Sequence, residues 1–311
     1  MSSNAQCGIR LRRHGPIVVG IDGSDAAVTA AVWAARAART NHARLRLIHA
    51  FPSIDKPAFR YGGVRHRRAL AMLDAARRAV VAEYRSGGDN PEIETAILAG
   101  HPGSVLIERS HTAGSLVVGA TGAGFLSHAL LGSTTFALIR DARCPVVVVR
   151  GNAAARGPVL VPVTSVSACG STIGTAFREA ADRGTDVLIA DIWQGRPRHV
   201  ANHPGHSGPN GVVARCRAEF PSVAVGSVTV GPLTVETVDQ LTASAQLVVV
   251  GHGRADHRTT GLGNLEHGLL QHAHCPVLVL PGSVTTPDRV RGHLPVGGAQ
   301  PAENPASARG C

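Results

Sequence analysis

The segment whose residue types and spacing could do chemistry reads Gly119-Ala120-Thr121-Gly122, then nine residues, then Gly132-Ser133. Glycines let a backbone approach phosphate closely, and a helix N-terminus offers free N–H groups and a partial positive charge. Ser133 and Thr134 add hydroxyl donors beside the last glycine. Asp22, far earlier in the chain, brings a carboxylate that can accept hydrogen bonds from a ribose or a purine. Both ends of a nucleotide would then be addressed. The plain alternative is that the glycines only make turns and that Ser133 is an N-cap worth on the order of 1 kcal/mol. A lone GxxG supports no more than that, but its joint occurrence with Asp22, the second glycine spacing and the hydroxyls favours a nucleotide site.

For these groups to meet, strands must deliver them to one edge of a sheet. Residues 16–21 are an apolar run closed by Asp22-Gly23-Ser24-Asp25, and 27–39 is Ala-rich with helix formers, which predicts strand, loop and helix with Ser24 as the cap. Further strands are expected over 45–51, 93–98, 115–120 and 145–150, with helices over 104–110 and 134–140. Leu70, Leu73, Val80 and Tyr84 recur at helical spacing in between, and Arg67, Arg78 and Arg85 on another face of that helix read as a solvated surface. Alternating strands and helices predict a mainly parallel α/β sheet covered on both faces. Ligands of such sheets bind beyond the carboxyl ends of the strands, where Asp22 and Gly119 fall.

The pattern occurs twice. Cys144-Pro145-Val146 returns as Cys275-Pro276-Val277, 131 residues on, and the opening strand matches residues 158–163 at an offset of 142. A drifting offset indicates two homologous domains with small deletions in the second. The expected organisation is a basic tail over 1–15, a first domain over 16–150, a linker over 151–157, a second domain over 158–282 and a disordered tail over 283–311.

At these residues the chain resembles the universal stress proteins in the tandem-domain form found in actinobacteria. The likeness is carried by Val18-Val19-Gly20-Ile21-Asp22-Gly23-Ser24, Gly100-His101-Pro102, Val117-Val118-Gly119-Ala120-Thr121-Gly122 and Gly132-Ser133-Thr134-Thr135, and it covers nearly all of 16–282. The resemblance implies two open, mainly parallel five-stranded sheets, Rossmann-like and similar to the adenine nucleotide alpha hydrolases. ATP-binding members follow G-x2-G-x9-G-[ST], which residues 119–133 match throughout. It implies that Asp22 contacts ribose or base, that the Ala50 backbone meets adenine, and that Gly119, Gly122, Gly132, Ser133 and Thr134 hold the phosphates of ATP, with Mg²⁺ as its possible companion. It also implies a pseudo-dimer of the two domains through their final strands, and a homodimer of chains.

The second domain departs from that pattern. Thr164 stands for Asp22, Arg254 for the second glycine, and Gly263-Asn264 follows after eight residues instead of nine. One competent nucleotide site per chain is therefore expected, with the second domain a structural partner or a diverged sensor.

Other signals carry less. Sixteen histidines include His203-Pro204-Gly205-His206 and His272-Ala273-His274-Cys275, but a metal site needs three or four converging ligands, and the first cluster lies with His199 in a Gly/Pro-rich stretch. No Ser-x-x-Lys, no G-x-S-x-G and no close carboxylate pair appears, so binding is favoured over catalysis, with slow ATP hydrolysis or phosphoryl transfer as the alternative. Residues 1–150 hold 19 Lys+Arg against 10 Asp+Glu, and 151–311 hold 12 against 11. That asymmetry suits a polyanionic partner or reflects only a coding bias toward Arg. At 3% aromatics the stacking residues for single strands are scarce, which disfavours nucleic acid. Apolar runs are too short to cross a bilayer, and six scattered cysteines without a CxxC pair suit a reducing cytoplasm. Cys144 and Cys275 read as fold elements, Cys7 and Cys311 as exposed.

Overall fold

The computed structural model describes residues 15–51, 63–84, 91–120, 131–163, 169–192, 209–231, 234–251 and 264–281. In the first half β1 (Ile17–Gly20), α1 (Asp25–Thr40), β2 (Leu45–Phe51), α2 (Val64–Tyr84), β3 (Ile93–Ala99), α3 (Pro102–Arg109), β4 (Ser115–Gly119), α4 (Ser133–Asp141) and β5 (Val146–Val149) alternate. The second half continues with β6 (Val159–Val163), α5 (Cys169–Arg183), β7 (Val187–Ile192), α6 (Pro209–Glu219) and β8 (Val225–Val230). It closes with α7 (Val235–Ala243), β9 (Leu247–Gly251), α8 (Asn264–His272) and β10 (Val277–Leu280). Residues 1–14 and 283–311 of the expected tails, as well as Arg85, His199, His203, His206, Cys7 and Cys311, lie outside the described residues.

The strands are ordered β3-β2-β1-β4-β5-β10-β9-β6-β7-β8. Each set of five is parallel, and β5 meets β10 antiparallel with Val147 opposite Leu278. The two five-stranded sheets therefore join edge to edge into one ten-stranded sheet. β5 is four consecutive buried valines and β10 is Val-Leu-Val-Leu, equally buried. Strands without a polar face cannot stand as free edges in water, so each covers the other.

Helices cover both faces. Ala27, Ala30, Ala31, Ala34 and Ala38 give α1 a small-residue stripe that seats it close against the sheet, and α2, α5 and α6 share that layer. The opposite layer holds α3, α4, α7 and α8 through Leu106, Leu138, Val238 and Leu269. Across the seam the Arg183 guanidinium lies 5.7 Å from the Trp33 ring centroid. Beside it Gly151, at φ 55°, turns the chain against His274, whose carbonyl accepts the Asn152 N–H at 2.8 Å.

The halves are twins at the level of single contacts. Buried Ser110 donates to Ile107 O at 2.6 Å and accepts the Arg143 N–H at 2.9 Å. Buried Thr242 donates to Val238 O at 2.8 Å and accepts the His274 N–H at 3.0 Å. In both places a buried helix-ending hydroxyl pairs with the main-chain donor just before the Cys-Pro that starts the central strand.

Candidate functional site

A cleft of about 180 Å³ opens at the carboxyl ends of β1 and β4. These strands are neighbours, yet the chain leaves them in opposite directions, β1 toward β2 and β4 toward β5. That reversal keeps the crossover helices apart and leaves a crevice at the strand ends.

One wall is the turn from β1 into α1. Gly23 sits at φ +88°, a conformation that costs L-residues strain, and Met72 of α2 reaches within 2.8 Å of where a β-carbon would stand. The following Ser24 is the N-cap of α1, its hydroxyl accepting the Ala27 N–H at 3.2 Å. Asp22 Oδ1 accepts from both the Ser24 hydroxyl at 2.6 Å and the Ser24 N–H at 2.9 Å, which fixes the carboxylate at the cleft. Behind it, His49 Nδ1 lies 2.7 Å from Ile21 O. A carbonyl only accepts, so that ring nitrogen carries the proton and pins the end of β1.

The floor comes from β2, β4 and α3. Ile48 O accepts the Ile21 N–H at 2.8 Å, so strand alternation aims the Ala50 main chain the same way, past the last rung of β1. Ile48, Ala50, Val118, Pro102 and Leu106 supply apolar surface.

The second wall is the start of α4. Gly132 is its N-cap, without a side-chain cap hydrogen bond, and the first turn carries no acid. At φ −63° and ψ 147° Gly132 has a conformation open to any residue, and among the described residues a β-carbon there would meet only Thr135 Oγ1 at 3.9 Å. The missing side chain simply leaves room. Gly119 differs, because a β-carbon would stand 2.8 Å from Ala26 in the first turn of α1. Close helix packing is what requires that glycine.

Asp22, Ala50, Gly119, Gly132, Ser133 and Thr134 thus line one cleft, while Gly122 lies outside the described residues, as do Thr164, Arg254 and Gly263 of the second half. Sequence reasoning missed Ile48, Val118, Pro102, Leu106 and Thr135. Period-two alternation could have placed Ile48 beside Ala50, but the residues from α3 join only through packing. Together the lining provides hydrogen-bond donors, one carboxylate acceptor and an apolar floor, which fits a ligand that is anionic at one end and flat and apolar at the other. A larger space of about 830 Å³ opens at the opposite edge of the sheet. There Thr40 and the C-cap Asn41 of α1 line the wall, with Arg44, Arg46, Arg178, Glu179 and Asp182 giving both signs of charge.

The model of the universal stress protein family matches residues 14–150. A universal stress protein of Mycobacterium tuberculosis strain H37Rv is 31% identical over 293 residues, covering 86% of this chain and 97% of the relative. Another from the same strain is 31% identical over 268 residues, covering 85% and 95%. Among solved structures, a universal stress protein from Archaeoglobus fulgidus shares the fold with a TM-score of 0.62 at 14% identity, covering 86% of this chain and 98% of its own. A protein of unknown function from Pseudomonas aeruginosa shares it with a TM-score of 0.54 at 18% identity, covering 90% and 95%.

Proposed function

The chain belongs to the universal stress protein family, and from that premise we propose that its first half binds an adenine nucleotide, ATP in the first instance, as a regulatory ligand. The observation that carries this reading is the start of α4, where an N-cap without a side chain and a first turn without acid face the same cleft as Asp22. The N–H groups of that turn and the hydroxyls of Ser133 and Thr134 would hold the phosphates. Asp22, kept in place by Ser24, would accept from the ribose, and the Ala50 main chain would meet the adenine edge above Ile48 and Val118. Gly122 would join the phosphate cradle, and a Mg²⁺ bound to the nucleotide would add charge neutralisation there.

Occupancy then biases which surfaces the protein offers a partner during stress in the cytoplasm. The antiparallel β5–β10 ladder supports reading the halves as a pseudo-dimer, and a homodimer of chains belongs to the same proposal.

Calorimetric titration tests it. Wild-type protein is expected to take up one ATP per chain, and Gly132→Glu, which adds a carboxylate without a backbone clash among the described residues, to lose binding by roughly a hundredfold or more. Equal affinity in a folded Gly132→Glu protein would overturn the site. Nucleotide recovered after single-turnover incubation is expected intact, and its conversion to ADP would favour the enzyme instead.

A further inference from the structure

The cleft of the first half has a counterpart position in the second, and the residues there differ in kind. α8 matches α4 residue for residue. Ala142 donates its N–H to Leu138 O and Ala273 to Leu269 O, both at 2.9 Å, just ahead of the Cys-Pro of each central strand. That register sets Glu266 where the first half has Thr135. In the sheet, Val159 pairs with Val187 as Ile17 pairs with Leu45, which sets Ile192 where the first half has Ala50.

Both exchanges fall at places that line the cleft in the first half. Ala50 is half-buried at the cleft floor, whereas Ile192 is buried. Thr135 is a neutral hydroxyl, whereas Glu266 is a carboxylate only 9% exposed in the first turn of its helix. Among the described residues no hydrogen bond or ion pair joins that carboxylate to a cation. A carboxylate at the third helical position lies in the field of the positive end of α8. The helix terminus that receives an anion from outside in α4 has an anion of its own in α8.

We infer that the second half is closed to nucleotide by its own side chains, Glu266 standing in for a phosphate at the start of α8 and Ile192 filling the place of the base beside β7. This rests on the nucleotide reading of the first half for the assignment of those two places. One nucleotide per chain is then a consequence of two substitutions in a duplicated fold, and the second half keeps its shape without depending on ligand.

The test uses full-length protein carrying Gly132→Glu, so that the first cleft is shut, with inorganic triphosphate and ATP as probes and circular dichroism to verify folding. That parent is expected to bind neither probe. Adding Glu266→Gln, equal in shape but uncharged, should raise affinity for triphosphate roughly tenfold or more, whereas Glu266→Asp, which keeps the charge, should not. Adding Ile192→Ala to the Gln variant should extend the gain to ATP. The inference is overturned by two ATP per wild-type chain, by equal gains in the Asp and Gln variants, or by a folded Gln variant that binds triphosphate no better than its parent. Should wild-type protein bind no ATP while the Gln variant gains triphosphate binding, the first-half reading fails and the closing role of Glu266 stands.

Discussion

The Ser24 hydroxyl donates to Asp22 Oδ1 at 2.6 Å while accepting the Ala27 N–H at 3.2 Å. One short side chain therefore caps α1 and holds the acid of the cleft. Ser24→Ala is expected to cost about 1 kcal/mol in urea unfolding, as cap removals do, and to weaken the proposed nucleotide binding, because the carboxylate keeps the Ser24 N–H but loses the hydroxyl. Ser24→Asp should retain the cap yet crowd Asp22 with like charge, separating the two effects. Unchanged stability in the Ala variant would remove the cap from this account.

Gly119 and Gly132 sit in one motif but answer to different neighbours. Gly119→Ala drives a methyl into Ala26 at 2.8 Å and is expected to destabilise by roughly 1–3 kcal/mol. Among the described residues Gly132→Ala meets nothing closer than 3.9 Å, and it should stay within about 0.5 kcal/mol of wild type. Denaturant midpoints of the two variants check this, and the opposite ranking would mean that α1 does not seat on the end of β4.

The edge strand β3 is guarded by charge. Arg46 Nε donates to Glu94 at 2.8 Å, and this hydrogen bond, with the nearby charge of Arg46 and Arg44, holds the Glu94 carboxyl below its ordinary value of 4.5. A depressed carboxylate stabilises the fold above the unfolded-state value, and that contribution fades as pH falls through the folded-state one. Wild type should therefore exceed Glu94→Gln in stability at neutral pH, and the gap should close as the solution is acidified below about pH 4.5. A gap that persisted to pH 2 would exclude the ion pair as its cause.

Burial pushes the thiols of Cys144 and Cys275 up to about 12, against an ordinary 9.0. Both should resist alkylation in native protein at pH 8 and react once it is unfolded, because the thiolate is the nucleophile and neither sulfur is accessible. Peptide mapping after labelling with and without urea reads the difference. Above pH 9 these thiols ionise in the unfolded chain before they do in the folded one, so stability should fall with rising pH there, and less steeply in a Cys144→Ala, Cys275→Ala protein.

Strand and helix order was legible in the chain itself, since buried runs such as Val146–Val149 and the alanine stripe of α1 express local periodicity. Glycine spacing and Asp22 likewise pointed to one edge of the sheet, because strand ends in a parallel α/β fold share an edge whatever their separation in sequence. Less could be read where distant groups have to be brought into contact. Nothing in the spacing says that Gly119 must be small for Ala26, or that Arg183 will cover Trp33.

Residue pattern alone indicated the duplicated order of strands and helices, because hydrogen-bonding need and apolar periodicity act over a few neighbours at a time. Tertiary structure decided that Val147 of β5 would stand opposite Leu278 of β10, and that Ile48, Leu106 and Thr135 would close around one cleft. Those outcomes depend on which surfaces remain uncovered once the helices have packed, and that is settled only when the whole chain is in place.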